Sequence, residues 1–265
     1  MFSIKSAFQE LFKIIIIYPF YKPKKIIFDH IPKCAGSSFT AYLAKNYLKE
    51  KTYHIDGRNI ERSIQIFTEM DTRKRHGFDF INGHHAGKIF KFASHDCLKV
   101  VIFREPIQRI ISHYFFSKRR KDHYLHAQIH SKNISITEYV SENICGEVNN
   151  YYVNYFNELF KEDANNNIEN VYRNVISNYN YIFLSEEFDI SMKCISSELN
   201  LFHRYKGKRL KVATEKPRKN EIDPDVENMI ASKNALDIQL YEKIKKKCQN
   251  SSFFLIKNLS PHPSM

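Results

Sequence analysis

Four short apolar runs, each followed by polar or turn-forming residues, divide the chain. Each run has the length of a strand and is apolar throughout, without alternation between polar and apolar positions. A continuous apolar run is typical of a strand that is covered on both faces, as in parallel sheets. We therefore predict buried strands at Ile26–Phe28, Phe78–Ile81, Leu98–Phe103 and Tyr181–Leu184.

Stretches with the apolar spacing of helices lie where crossover connections between parallel strands would need them. Pro106 stands near the first turn of one such stretch, where its missing N–H costs nothing. The pattern predicts an α/β fold with a central parallel sheet of about four or five strands flanked by helices. The predicted helices are Ser37–Tyr47, Pro106–Phe116, Ile168–Ile176, Phe188–Leu199 and Asn234–Lys247.

The segment 118–167 is less regular and is rich in His, Asn, Tyr and Lys. We interpret it as an insertion of helices and loops beside a cleft. Its aromatic row Tyr151–Phe156 suits either core packing, which is the commoner use, or stacking against sugars. Because the chain has no internal repeat and no low-complexity linker, we predict one domain over 1–265, with its core from about 25 to 247.

Composition excludes several classes of protein. With 43% hydrophobic and 26% charged residues among 265, the chain can bury a core and is neither disordered nor fibrous. The run Ile14–Tyr18 is too short to span a membrane. It suits a strand or helix packed on the domain better than a weak membrane anchor. The five cysteines are scattered and odd in number, which argues against a disulfide scaffold and fits a reducing compartment.

Charge points to an anionic partner. Lys and Arg total 41 against 29 Asp and Glu, a formal net charge of +12. Nucleic acid, an acidic membrane face, an acidic polymer or a phosphorylated small molecule would each match this sign. The choice among them depends on motifs.

The first motif follows the first predicted strand and reads HIPKCAGSSF from His30 to Phe39. Gly36 permits close backbone approach, and Ser37 and Ser38 stand at the start of the predicted helix. The N–H groups and positive dipole of a helix start favour phosphate, and Lys33 adds a cation. The order differs from the Walker A loop, in which Lys directly follows the second Gly. A plain turn with a capping Ser is the alternative.

The second motif follows the third predicted strand and reads REPIQRIISHY from Arg104 to Tyr114. Ser112 lies eight residues after Arg104, about two helical turns. An Arg at the end of a strand can donate two parallel hydrogen bonds to a phosphate. A local salt bridge and an ordinary helix hydroxyl are the alternatives for Arg104 and Ser112.

Together the two motifs resemble the carbohydrate sulfotransferases related to heparan-sulfate 2-O- and 6-O-sulfotransferases, which use 3′-phosphoadenosine 5′-phosphosulfate (PAPS). The resemblance extends to Tyr181–Phe188 and to the N-x-x-D-x-x-L-Y pattern at 234–241. It implies a P-loop-like three-layer fold and sulfuryl transfer to a hydroxyl of a polysaccharide or glycolipid. It also implies that Arg104 and Ser112 hold the 3′-phosphate, with Arg109 in support. The implied 5′-phosphosulfate loop comprises Lys33, Cys34, Ala35, Gly36, Ser37 and Ser38.

Within that resemblance, Lys33 would neutralise charge on the departing oxygen, whereas Cys34 would serve packing. The element NGHHAG, which follows the second predicted strand, resembles the place where the family carries its catalytic His. His84 is the first candidate for the general base and His85 the second. Asn82 stands where some relatives have another His. An acceptor-binding or helix-capping role is the alternative for His84.

Basic clusters complete the candidate site. In relatives a basic loop closes over the nucleotide, which makes Lys216, Arg218 and Lys219 candidate cofactor contacts; a solvated loop is equally compatible. The cluster Lys118–Lys121 could face an acidic acceptor or be a solvated helix end. His84, His85, His95 and Cys97 lack the spacing of structural zinc sites, so we predict no metal.

Two rival functions are a P-loop-type nucleotide kinase, which would need Mg²⁺ ligands, and a non-catalytic nucleic-acid-binding protein. We do not predict a kinase, because no strand-end Asp follows a Walker A loop to supply Mg²⁺ ligands. We do not predict a nucleic-acid-binding protein, because the basic residues are spread out, with two at phosphate-cradle positions. We expect a bacterial cytoplasmic enzyme, with peripheral contact at the inner membrane left open and a trimmed form of a longer protein as the alternative. The acceptor and the oligomeric state are not predicted.

Overall fold

The computed structural model describes residues 4–161, 167–207 and 222–250. Its five strands form one sheet in which every neighbouring pair is parallel, in the order β2-β3-β1-β4-β5. The predicted α/β fold with a central parallel sheet flanked by helices is thereby confirmed. The strands are β1 Ile26–Asp29, β2 Thr52–Ile55, β3 Phe80–Gly83, β4 Leu98–Phe103 and β5 Tyr181–Leu184.

Thirteen α-helices occur in the described ranges, together with a π-helical turn at Lys13–Ile17 and four short 3₁₀ segments. Ala86–Phe92 is the longest of the 3₁₀ segments. The helices are α1 Ile4–Phe12, α2 Tyr18–Tyr21, α3 Gly36–Leu43, α4 Ile60–Glu69, α5 Thr72–His76, α6 Pro106–Arg119, α7 His126–Ser131, α8 Ile136–Ser141, α9 Tyr151–Phe160, α10 Ile168–Asn178, α11 Phe188–Glu198, α12 Pro224–Lys233 and α13 Ala235–Asn250.

The central strand β1 shows how the sheet is covered. Ile26 and Phe28 belong to one buried cluster, and Ile27 belongs to another. Alternate side chains of a strand point to opposite faces, so apolar residues are required at every position. This explains the unbroken apolar runs in the sequence.

Part of the segment 118–167 contributes to a second apolar core beside the sheet, which it shares with α6 and α12. Ile110, Ile111 and Tyr114 of α6 pack against side chains of α7, α8 and α12 in this cluster. Tyr139 of α8 and Ile230 of α12 are completely buried. The predicted helices in this segment therefore pack around the far half of α6.

The observed elements differ from the predicted ones at a few boundaries and by one additional strand. Strand β3 begins two residues later than the predicted run, and α3 begins at Gly36 and ends at Leu43. The sequence pattern did not indicate β2, whose residues Thr52, Tyr53 and His54 are only partly buried or exposed. Because β2 is less covered than the other four strands, its sequence lacks their continuous apolar run.

The apolar run near the N-terminus is helical, which is one of the two forms predicted for it. Lys13 and Ile17 are buried against the domain. Among the described residues, none of the helices combines the length and the apolar character needed to cross a bilayer.

Candidate active site

The carboxyl ends of β1, β3 and β4 lie side by side, because β1 pairs with β3 on one side and with β4 on the other. Ligands of open parallel sheets bind at this edge, where the loops after the strands converge. The loops are the segment from His30 to Ala35, the turn at His84–His85 and the pair Arg104–Glu105. All three carry candidate residues from the sequence.

The first loop turns sharply into α3. Lys33 and Ala35 both have left-handed backbone conformations, with φ of 66° and 63°. No side chain caps α3, since Ala35 occupies the N-cap position, so the alternative of a capping Ser does not hold. Within the described ranges, Gly36 and Ser37 do not donate their N–H groups. These donors at a helix start suit a phosphate or phosphosulfate group.

Gly36 also permits a close approach to His30. A Cβ at this position would collide with the His30 ring. That ring stacks on Phe28 at 5.5 Å and on His84 at 4.4 Å between centroids. Gly36 thus allows the first loop and the second loop to pack against each other through His30.

Arg104 ties the first loop to the third. Its guanidinium donates to the carbonyl of Lys33 at 3.2 Å. Its backbone N–H donates to the Tyr152 hydroxyl at 3.1 Å, and that hydroxyl donates to the Arg104 carbonyl at 2.7 Å. The same hydroxyl lies 3.3 Å from the sulfur of Cys34. One tyrosine of α9 therefore joins the two loops.

Cys34 is buried, and burial raises the pKa of its thiol to about 11. A protonated, buried thiol is a packing group and a weak hydrogen-bonding partner. The structure agrees with the packing role predicted for it. Any phosphate contact from this position would come through the backbone.

Lys33 lies against helix α6, just beyond the second motif. Its ammonium is 3.5 Å from the ring centroid of Phe116 in α6, a cation–π contact. Its charge also lowers the pKa of His30 and of His84, after the larger effect of burial. Lys33 and the candidate base therefore share one electrostatic environment.

His84 is held in a defined orientation. Its Nδ1 lies 2.6 Å from the carbonyl of His30, an acceptor only, so Nδ1 carries the proton of this hydrogen bond. The neutral ring then has its lone pair on Nε2. Burial lowers the pKa of His84 below 6.5, so this neutral form persists at neutral pH.

His85 occupies a different setting. It has a left-handed backbone, with φ of 60°, and its ring meets that of Tyr155 edge-on at 5.0 Å. Its Nδ1 is buried and has no partner among the described residues. Burial and the charge of Lys88 lower its pKa.

Asp29, at the end of β1, supports the loop that carries both histidines. It accepts hydrogen bonds from the hydroxyls of Tyr155 at 2.6 Å and Tyr179 at 2.5 Å. Burial raises its pKa, and the backbone N–H groups of Ala86 and Gly87 act in the opposite direction. A Cβ on Gly87 would lie 2.9 Å from the Asp29 carboxylate, so this packing requires glycine.

The late N-x-x-D-x-x-L-Y element organises α9. Asp237 accepts the backbone N–H groups of Tyr152 and Val153, each at 3.0 Å. Asn234 accepts the N–H of Asn150 at 3.0 Å and donates to the carbonyl of Val148 at 2.8 Å. These bonds satisfy donors at the start of α9 and fix the helix that carries Tyr152 and Tyr155.

Arg109 and Ser112 both lie on α6. Arg109 is completely buried against the rings of Tyr151 and Tyr152 and donates to the carbonyl of Glu147 at 2.6 Å. Its Nε and Nη1 have no partner among the described residues. The structure thus gives Arg109 aromatic and carbonyl contacts. Ser112 is partly buried, two turns from the end of β4.

The structure describes one of the two predicted basic clusters. Lys118–Lys121 is exposed at the end of α6, and Arg120 pairs with Asp122 at 2.5 Å. The Arg120 guanidinium also lies 5.8 Å from the Phe116 ring that Lys33 contacts. Lys216, Arg218 and Lys219 lie outside the described residues.

The sequence did not indicate the contacts that Tyr152, Asp29 and Glu147 make at this site. The aromatic row that contains Tyr152 packs in the core, the commoner of its two predicted uses. Glu147 raises the pKa of His84 through its charge and accepts a hydrogen bond from Tyr124 at 3.3 Å. The sequence feature that could have pointed to Tyr152 is its polar hydroxyl within an otherwise apolar row. In the described ranges, no three His, Cys, Asp or Glu side chains form a metal-binding group.

Comparison with known proteins agrees with this geometry. Residues 19–244 match the sequence model described as "Sulfotransferase family". A stretch of 103 residues is 29% identical to heparan sulfate 2-O-sulfotransferase hst-2 of Caenorhabditis elegans. The match covers 35% of this chain and 32% of that relative, so the chain aligns with about a third of the relative's length.

Proposed function

Because the chain belongs to the sulfotransferase family, we propose that it transfers a sulfuryl group from PAPS to a hydroxyl of a carbohydrate. The observation that carries this proposal is the link between Lys33 and Arg104 at adjacent strand ends. This hydrogen bond, from the Arg104 guanidinium to the Lys33 backbone carbonyl, joins the two candidate phosphate-binding motifs beside the N–H groups at the start of α3. The resemblance to a heparan sulfate sulfotransferase supports a carbohydrate acceptor, either a polysaccharide or a glycolipid.

The described residues fit a bisphosphorylated nucleotide. The start of α3, with Gly36 and Ser37, offers backbone donors for one phosphate group. Arg104 and Ser112 would hold the 3′-phosphate at the neighbouring strand end. PAPS, when bound, supplies an activated sulfuryl group and a phosphate leaving group. Lys33 and the loop N–H groups would carry the negative charge that develops there, without a metal.

His84 would accept the proton of the acceptor hydroxyl at Nε2. The His30 carbonyl holds Nδ1–H, so the free lone pair has one fixed position. As the proton arrives, the ring becomes cationic, and Glu147 favours that form through its charge. A histidine that starts neutral and is oriented by a hydrogen bond suits general-base catalysis.

The acceptor that we propose is acidic. Arg120 and Lys33 contact the same Phe116 ring, so the exposed cluster Lys118–Lys121 lies next to the proposed catalytic lysine. A polymer of uronic acids would place carboxylates against this cluster.

Five scattered cysteines, all free in the structure, support a reducing compartment such as the cytoplasm of a bacterium.

Titration with adenosine 3′,5′-bisphosphate, ATP–Mg²⁺ and duplex DNA tests the proposal. Wild type should bind the bisphosphate saturably, and Arg104→Ala should weaken binding roughly thirtyfold or more, because charge-assisted bonds to phosphate are lost. Arg119→Ala, which removes the same charge from an exposed position on α6, should bind normally. Preference for ATP–Mg²⁺ would favour a kinase, and preference for DNA a nucleic-acid-binding protein. Transfer of labelled sulfate from PAPS to uronic-acid polymers and neutral polysaccharides would then identify the acceptor class.

A further inference from the structure

The N-terminal helical segment packs on the domain and leaves much of its apolar surface exposed. Helix α1, the π-helical turn and α2 follow one another from Ile4 to Tyr21. Lys13 is buried and donates to the carbonyls of Tyr47 at 2.7 Å and Ala44 at 3.0 Å. Its ammonium also pairs with Glu10 at 2.7 Å. These bonds, together with buried Ile17, set which face of the segment points away from the domain.

The outward face is apolar. Phe8, Leu11, Phe12 and Ile15 follow the i, i+3, i+4, i+7 spacing of one helix face, and between 39% and 73% of each side chain is exposed. Ile14 and Phe20 extend this surface, with 49% and 75% exposed. We call these six residues the apolar stripe. Water-exposed apolar surface of this extent marks an interaction site.

Exposed cations border the apolar stripe. The Phe12 ring contacts Phe202 at 5.4 Å and His203 at 6.3 Å. Arg204 and Lys206 follow His203 in the chain, and Lys22 follows Tyr21, whose ring contacts Phe202 at 4.9 Å. Lys45 follows Ala44, whose carbonyl accepts a hydrogen bond from Lys13. We call the four exposed cations in this region the basic rim: Lys22, Lys45, Arg204 and Lys206.

We propose that the apolar stripe inserts into the interface of an anionic membrane while the basic rim contacts lipid headgroups. An amphipathic helix that lies in the bilayer plane combines these two features. Anionic headgroups attract each nearby Lys or Arg, and the acyl region takes up the apolar side chains. The basic rim would therefore meet the headgroup layer of the membrane, and the apolar stripe would meet its acyl layer.

A second copy of the chain matches this surface less well than an anionic membrane does. A symmetric dimer through the stripe would place the same patch of both copies face to face. The basic rims would then approach each other, in molecules whose formal net charge is +12. Repulsion between like charges opposes that arrangement and favours an anionic partner.

Co-sedimentation of the full chain with vesicles tests the proposal. One set of vesicles is phosphatidylcholine alone, and the other is phosphatidylcholine with phosphatidylglycerol in equal amounts. Wild type should bind the anionic vesicles. The double variant Phe8→Gln with Ile15→Gln should bind them at least roughly tenfold more weakly, because two apolar side chains no longer insert. Lys45→Gln with Lys206→Gln should weaken binding to the anionic vesicles only, by roughly tenfold.

The matched control is Ile66→Gln with Ile190→Gln, which changes two exposed isoleucines outside the stripe. It should bind vesicles as wild type does. Affinity for adenosine 3′,5′-bisphosphate should be the same in all variants, which shows that they are folded. Failure of wild type to bind anionic vesicles would overturn the proposal, as would normal binding by the Phe8 and Ile15 variant. A wild-type dimer that this variant dissociates would assign the stripe to a second copy.

Discussion

At the scale of single residues, the proposed site depends on how neighbours orient a few side chains. The His30 carbonyl fixes the proton of His84 on Nδ1, and the Gly36 backbone leaves room for the His30 ring. The sequence cannot show which nitrogen of His84 is protonated, because the tautomer depends on hydrogen bonds that form only in the folded protein. His84 and His85 differ in environment, although they are adjacent in sequence.

Substitution of His84 tests its role as the base. We expect His84→Gln to lower turnover roughly 10²- to 10⁴-fold, the usual contribution of general-base catalysis, with bisphosphate affinity unchanged. Turnover of wild type should fall only at a pH below 6.5, because burial lowers the pKa of the ring that must be neutral. Steady-state rates against pH and calorimetric titration measure both effects.

His85→Gln is the matched control and should keep most of the turnover. If His85→Gln is inactive and His84→Gln active, the base is His85. A similar loss in both variants with weakened bisphosphate affinity would indicate damage to the loop instead.

At the scale of elements, the site is assembled by contacts between segments far apart in the chain. Asp237, in α13, binds the start of α9, and Tyr152 of α9 then joins the loops after β1 and β4. The sequence singled out the element at 234–241 only as an amphipathic helix or a family resemblance. The structure shows a specific contact for it, which is to bind the start of α9, the helix whose Tyr152 joins the loops after β1 and β4.

Asp237 should make stability depend on pH. Burial raises its pKa from 3.8 to about 6, so between these values the folded protein binds more protons than the unfolded chain does. The free energy of unfolding should therefore fall as pH rises through this range, with a contribution of about 3 kcal/mol at most from this group. Urea unfolding of wild type and Asp237→Asn across the range measures this contribution as their difference.

Asp237→Asn removes the titrating group and keeps one acceptor oxygen, so its stability should change less between these pH values. Asp225→Asn, at an exposed position in α12, should follow the wild-type curve. The same pH dependence in wild type and Asp237→Asn would contradict the assignment.

At the scale of the whole molecule, the excess of positive charge has several uses. Lys33 and Arg104 account for two cations at the proposed nucleotide site, and the basic rim accounts for four more near the apolar stripe. Lys118–Lys121 then remains as an exposed cluster beside Phe116. We infer that this cluster attracts an acidic acceptor.

This inference predicts salt-dependent turnover. Raising ionic strength should raise KM for a uronic-acid polymer more than KM for a neutral polysaccharide, because salt screens exposed charges. Lys118→Gln with Arg119→Gln should raise KM for the acidic polymer several-fold, with little change in kcat. Lys245→Gln with Lys246→Gln, which removes the same charge from α13, is the control and should not change KM. An equal salt effect on both acceptors would contradict the inference.

The sequence by itself determined the buried strands and indicated the two candidate phosphate-binding motifs, since both consist of contiguous residues. An unbroken apolar run predicts a strand that is covered on both faces. Gly, Ser and Lys residues directly after such a run indicate a helix start that could bind an anion. Tertiary structure decided what these motifs contact. Asp29 meets Tyr155 and Tyr179, and Tyr152 meets Arg104, across separations of 126, 150 and 48 residues. Such pairs arise from the packing of α9 and α10 on the sheet, which no local pattern encodes.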